Sequence, residues 1–128
     1  MARKIYFKDA KFTAYSLWHR SLEERFGMLD IDSVGICLKC KQPLYLAETA
    51  FDVNQKWKAT TTTEALARMA GLPSFLIFYK VDGAAITSFR ITQLSPWKSE
   101  EMFMLPDAWV QVMKLLKERH DLICEGKK

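Results

Sequence analysis

The chain predicts an α+β fold: one α/β (α+β) domain in which helices flank a mixed central β-sheet. Three observations carry this. Segments of helical period and segments of strand period are interleaved, with no repeat and no Gly/Ser linker between them. Two strand-like runs, residues 44–51 and 74–81, are apolar on both faces for most of their length, the pattern of buried central strands. A length of 128 residues fills one domain and leaves no room for a second. Residues 1–128 therefore read as a single domain, with 13–81 as its core and 82–128 as a C-terminal hairpin and helix.

The first helix is expected over residues 13–26. Ala14, Leu17, Trp18, Leu22 and Phe26 recur at helical spacing, Thr13 can cap the start, and Gly27 can end it. From Met28 the period changes. Residues 28–32 and 34–38 are short and strand-like, 39–43 read as a turn, and 44–51 form the next strand. After a polar stretch, Thr61-Thr62-Thr63-Glu64 has the spacing of a capping box. Ala65, Leu66, Met69 and Ala70 then form the apolar stripe of a short helix, which Gly71-Leu72-Pro73 ends. Residues 74–81 are a buried strand, Asp82-Gly83 a turn, and 86–94 an edge strand or hairpin partner. Pro106-Asp107 opens the last helix, with Trp109, Val112, Met113 and Leu116 on one face. Lys114, Lys117 and Arg119 lie toward its C-terminal end, where the helix dipole favours cations.

Composition narrows the function. The charge sum, 19 − 15 = +4, suits a polyanionic partner without identifying one. Three cysteines are an odd count for a disulfide framework, and no apolar run approaches the ~20 residues that span a bilayer. The expected setting is the reducing cytoplasm, with no membrane partner. There is no Walker loop and no GxGxxG, and His19 has no serine or cysteine pattern that would place it in a triad.

The acids are more informative. Asp30 and Asp32 share one face of the expected strand, since side chains alternate with period two. Glu48 sits inside the most apolar strand. A buried carboxylate needs a cation or a hydrogen-bond network. Glu48 therefore either lies at the strand's end and pairs with a lysine, or belongs to a site for a hard metal, which takes carboxylate oxygens.

Over residues 13–81 the order helix, strand with Asp, strand with Glu, helix, strand resembles the PD-(D/E)xK nuclease superfamily and its restriction-endonuclease-like αβββαβ core. In Leu29-Asp30-Ile31-Asp32 the second acid takes the place of the superfamily's Asp, and in Leu46-Ala47-Glu48-Thr49-Ala50 the Glu takes that of its second acid. Their separation, 48 − 32 = 16 residues, suits a hairpin. The layout is most similar to the small Holliday-junction resolvases, and the compact chain to phage-encoded nucleases. The sequence departs at Ala50, where the superfamily has a lysine. In some members that lysine has moved to the following loop or helix. Lys56 and Lys58 are the candidates here, Lys58 being favoured as closer to the capped helix.

The resemblance implies Mg²⁺- or Mn²⁺-dependent hydrolysis of DNA phosphodiesters, on branched or on phage or host DNA, in the host cytoplasm. Asp32, Glu48 and the Thr49 carbonyl would hold the metal, and Asp30 would support a second metal or stand behind the first. Asp32, Glu48, Lys56 and Lys58 would be the catalytic set. Related resolvases are dimers, so a homodimer is implied too. Glu23, one turn after His19, could reach the site as helix acids do in some resolvases, although exposed Glu is the commoner reading.

Two further groups stand out. Cys37 and Cys40 form a CxxC before a Lys-Gln-Pro turn, and His120 and Cys124 form an H-x₃-C. Together they have the ligand types of a zinc site. The halves lie 120 − 40 = 80 positions apart, so packing as separate small hydrophobes is the expected reading and zinc the alternative. Lysines cluster at Lys4, Lys8 and Lys11, at Lys39 and Lys41, and at Lys56 and Lys58, interleaved with Tyr6, Phe7, Phe12 and Trp57. Lys39, Lys41, Lys56 and Lys58 are the candidate nucleic-acid contacts, solvated lysine with core aromatics being the commoner reading. Beside the nuclease stand two alternatives: a nuclease-like fold that binds nucleic acid or protein without cleavage, for which Ala50 argues, and a small zinc-stabilised interaction protein.

Overall fold

The computed structural model describes Trp18 and residues 31–124. The chain divides into two compact units, Met1–Asp30 and Ile31–Lys128. In the first, Trp18 is helical and about half exposed. The rest of the expected first helix, and the expected strand as far as Asp30, lie outside the described residues.

The second unit is an α+β arrangement of a five-stranded mixed sheet and two helices. Its strands lie in chain order: β1 (Ser33–Ile36), β2 (Pro43–Phe51), β3 (Ser74–Asp82), β4 (Ala85–Ser95) and β5 (Met102–Met104). Helix α1 (Thr61–Ala70) lies between β2 and β3, and α2 (Pro106–Asp121) follows β5. The β2–β3 pair is parallel and the other three are antiparallel. A parallel pair needs a crossover, and the segment containing α1 supplies it.

Side-chain alternation divides the core between the two faces of the sheet. Ala47, Phe75, Ile77 and Ile91 pack with Trp109 of α2, and Tyr45, Val112, Met113 and Leu116 surround them. Tyr45, Phe75 and Trp109 meet edge to face, with ring centroids 5.1–6.0 Å apart. On the opposite face Leu76, Phe78 and Leu94 cluster with Ala50.

Helix α1 rests on the sheet differently from the expectation. Its buried residues are Thr63 and Ala67, while Ala65, Leu66, Met69 and Ala70 are exposed. Two small side chains let the helix approach closely, and the Thr63 hydroxyl has a buried partner, described below. The capping box is also displaced. Thr60, not Thr61, is the N-cap, and its hydroxyl donates to Glu64 Oε2 at 2.8 Å instead of receiving a backbone N–H. The stop is as expected. Gly71 takes the left-handed conformation (φ 71°), and Leu72 N–H closes on the Ala67 carbonyl.

At the other end of the sheet Gly83 (φ 64°) turns β3 into β4. The strand β4 is a hairpin partner and not an edge, because β5 pairs with its outer side. Among the described residues no helix is long and apolar enough to cross a membrane.

Candidate functional site

The β1–β2 hairpin sets Ser33 opposite Ala47. Asp32 is not in a strand; it occupies the bend leading into β1, which brings it level with Glu48. Its Oδ2 accepts the Thr49 N–H at 2.8 Å. Lys58, from the loop before α1, places its Nζ 2.6 Å from Asp32 Oδ2, 3.2 Å from Glu48 Oε1 and 2.8 Å from the Thr49 carbonyl oxygen. The second oxygen of Glu48 accepts the Thr63 hydroxyl at 2.6 Å. Glu48 is 4% exposed, whereas the Lys58 and Asp32 side chains are 33% and 35% exposed. The cluster is therefore sealed at Glu48 and open at Asp32.

This geometry explains the departure at Ala50. Glu48 and Ala50 lie two apart on one strand and share a face. Ala50 already packs against the Leu76, Phe78 and Leu94 cluster, where an ammonium would be buried among hydrocarbon. The charge arrives instead from the loop, through Lys58.

Protonation follows the same contacts. Burial raises the Asp32 carboxyl, but the Lys58 and Thr49 hydrogen bonds and the Lys58 charge outweigh it and hold Asp32 below the usual carboxylate value. Burial lowers the Lys58 ammonium, but its bonds to Asp32 and Glu48 outweigh that and hold it above the usual lysine value. The site thus carries a permanent cation near neutral pH. Three oxygens, two of them from carboxylates, surround the Lys58 Nζ, and the same donor set suits a hard divalent cation.

The loop that delivers Lys58 is itself anchored. Arg90 on β4 donates from Nε and a terminal nitrogen to the two Asp52 oxygens, at 3.0 and 2.9 Å. The same guanidinium reaches the Gln55 carbonyl at 2.9 Å and Glu101 at 2.8 Å, and lies 4.6 Å from the centroid of the Phe78 ring. Arg90 and the Asn54 N–H hold the Asp52 carboxyl at about 2. Asn54 takes a left-handed turn (φ 64°) here, a conformation Asn tolerates.

A second constellation lies at the other end of the hairpin. Cys37 follows β1, and Lys41 (φ 66°) closes the turn, with Cys37 N–H bonded to the Gln42 carbonyl. His120 lies in the last turn of α2, and Cys124 follows one turn later. The ligating atoms of Cys37, Cys40, His120 and Cys124 all lie within 4.8 Å of one another. Cys37 and Cys124 sulfurs are 3.7 Å apart, and Cys40 Sγ is 3.1 Å from His120 Nε2. The expectation of separately packed cysteines is corrected: the fold closes the 80-position gap, and the cluster can hold a metal ion.

Other expected residues fall elsewhere. Lys56 is exposed and has no hydrogen bond or ion pair to Asp32 or Glu48. Lys39 and Lys41 are exposed in the cysteine turn, and Lys58 is engaged by carboxylates, so the four lysines do not make one free basic strip. Trp57 is half exposed and is partnered by Lys98, whose Nζ is 4.7 Å from the ring centroid. Asp30, Glu23, His19, Lys4, Lys8, Lys11, Tyr6, Phe7 and Phe12 lie outside the described residues.

Sequence reasoning missed Thr63 and the Asp52–Arg90 pair. Thr63 was visible only as one of four consecutive threonines, and the pair spans 38 positions.

Comparison with protein-family models, curated proteins and solved structures finds no match.

Proposed function

We propose that the chain is a divalent-metal-dependent nuclease that hydrolyses DNA phosphodiester bonds, branched DNA being the first substrate to try. The observation that carries this reading is the half-open seat in which Asp32, Glu48 and the Thr49 carbonyl all lie within 3.2 Å of the Lys58 Nζ. The donor set fits Mg²⁺ or Mn²⁺, which take one or two protein carboxylates and leave positions for water and a phosphate oxygen. When bound, such an ion polarises the phosphate and lowers the pKa of the attacking water.

The chain's own groups have distinct tasks. Asp32, Glu48 and the Thr49 carbonyl would hold the cation once it displaces the Lys58 ammonium from among their oxygens. Thr63, bonded to Glu48 Oε2, fixes the carboxylate's orientation. Displaced from the three oxygens, the Lys58 ammonium would offer a donor and a positive charge where negative charge grows on the phosphate. The open side at Asp32 leaves room for a backbone to approach. Exposed Lys56 and the net charge of +4 favour a polyanion.

One observation favours a second reading, a nucleic-acid-binding module without cleavage. The Lys58 ammonium pairs with both carboxylates, so each has a cationic partner without any metal. Incubation with branched, duplex and single-stranded DNA separates the two. The nuclease reading expects cleavage in Mg²⁺ or Mn²⁺ that stops in excess EDTA. Binding without cleavage of any substrate supports the second reading, and cleavage that persists in EDTA refutes the first.

A further inference from the structure

We propose that Cys37, Cys40, His120 and Cys124 bind one Zn²⁺ as a closed structural site, which ties the tip of the β1–β2 hairpin to the C-terminal end of α2. The site is separate from the Asp32–Glu48 cluster. It lies beyond the far end of β1, five residues of chain from Asp32, or roughly 16 Å if extended.

The donor set selects the metal. Three thiolates and one imidazole suit a tetrahedral, borderline-soft ion, whereas Mg²⁺ and Ca²⁺ take oxygen. Zinc–sulfur bonds of about 2.3 Å and zinc–nitrogen bonds of about 2.0–2.1 Å require S···S edges near ~3.8 Å and S···N edges near ~3.6 Å. The Cys37–Cys124 edge is 3.7 Å, the Cys40–His120 edge is 3.1 Å, and none exceeds 4.8 Å. Side-chain adjustments of about half an ångström bring the Cys40–His120 edge to the tetrahedral value. Four protein ligands leave no open position, which marks a structural site and not a catalytic one.

The surroundings support thiolates. The backbone N–H groups of Cys40 and Lys39 hydrogen-bond Cys37 Sγ and favour negative charge there. Lys117, paired with Asp121, also feels the Cys37 and Cys124 sulfurs, and so supplies positive charge beside a site whose formal sum is −1. Cys37 and Cys124 are buried, while Cys40 and His120 border an open cleft with Gln42, Pro43, Leu72 and Ile123 that gives the ion a way in.

The test uses the intact chain. Protein purified without chelator is expected to carry one zinc per chain by atomic emission. Cobalt titrated into stripped protein is expected to give the intense visible bands of a tetrahedral thiolate complex at one equivalent. Because Cys37→Ser and Cys124→Ser touch buried positions, the half-exposed variants Cys40→Ala and His120→Ala are the informative ones. Each is expected to weaken zinc binding by more than about 100-fold, beyond the loss seen for groups that only orient a ligand. Protein that carries no zinc and takes up no cobalt overturns the proposal, as does a Cys37–Cys124 disulfide in freshly isolated protein. Full zinc retention by His120→Ala overturns the four-ligand assignment. None of these readouts depends on DNA cleavage.

Discussion

Replacing Lys58 by Met removes the ammonium while keeping most of the hydrocarbon stem. Glu48 Oε1 then loses its partner at 3.2 Å in a site only 4% exposed, and Asp32 Oδ2 loses a partner at 2.6 Å but keeps the Thr49 N–H. Breaking a fully buried ion pair costs about 3–5 kcal/mol, and an exposed pair is worth about 0–1 kcal/mol. This cluster is intermediate, because Lys58 and Asp32 are about a third exposed. The expected loss is about 2–3 kcal/mol, or about 8–24 °C in Tm at 4–8 °C per kcal/mol for a unit of this size. Divalent metal should then act in the opposite sense. No ammonium competes for the three oxygens, and a ligand at ten times its Kd restores about 1.4 kcal/mol. Catalysis separates from stability, since losing one charged donor at the reacting phosphate costs about 10²–10³ in rate. Urea unfolding followed by circular dichroism, in EDTA and in Mg²⁺, reads the first two effects, and single-turnover cleavage reads the third. A Lys58→Met protein as stable as wild type in EDTA, with no added response to Mg²⁺, refutes the cation seat.

Three other outcomes follow from the same geometry. A Cβ on Gly35 would sit 2.1 Å from Tyr45 Cε2, and Phe75 and Trp109 pin that ring, so Gly35→Ala should cost about 1–3 kcal/mol in urea unfolding; a neutral variant would show that Tyr45 is free to move. Asp52 at about 2 and Asp32 below 3.8 are depressed in the folded state, so their stabilisation is complete above about pH 4 and is lost as pH falls toward 2; stability measured across that range should decline, and a flat profile contradicts both ion pairs. Thr63→Val removes the hydroxyl from Glu48 Oε2 at nearly constant volume and should destabilise by about 1–3 kcal/mol, whereas an unchanged unfolding midpoint would show that this bond does not hold Glu48.

Much of the fold is legible because its signals are local. Residues 74–81 are apolar on both faces, and the observed β3 is central, flanked on both sides. The three-residue β5 exists only through its pairing with β4, which periodicity does not report. Helix α1 inverts its stripe because contact there is decided by small size and by a polar bond, through Ala67 and Thr63, while Leu66 and Met69 face outward. Of four neighbouring threonines, composition does not say which one caps. Glu48 stood out because a carboxylate in an apolar strand must have partners. Which lysine reaches it depends on how the Arg90–Asp52 anchor sets the loop, and that is a tertiary fact. The cysteine halves look ordinary apart, since nothing local tells a chain that positions 40 and 120 will touch.

In the proposed nuclease Asp32 and Glu48 would hold a divalent cation for phosphodiester cleavage. Glu48→Gln probes that site at one atom, because it keeps shape and the Thr63 contact while removing one charge. Single-turnover DNA cleavage at saturating Mg²⁺, with circular dichroism matched to wild type, should fall by at least about 10²-fold. A folded Glu48→Gln protein that cuts at the wild-type rate contradicts a metal seat at Glu48.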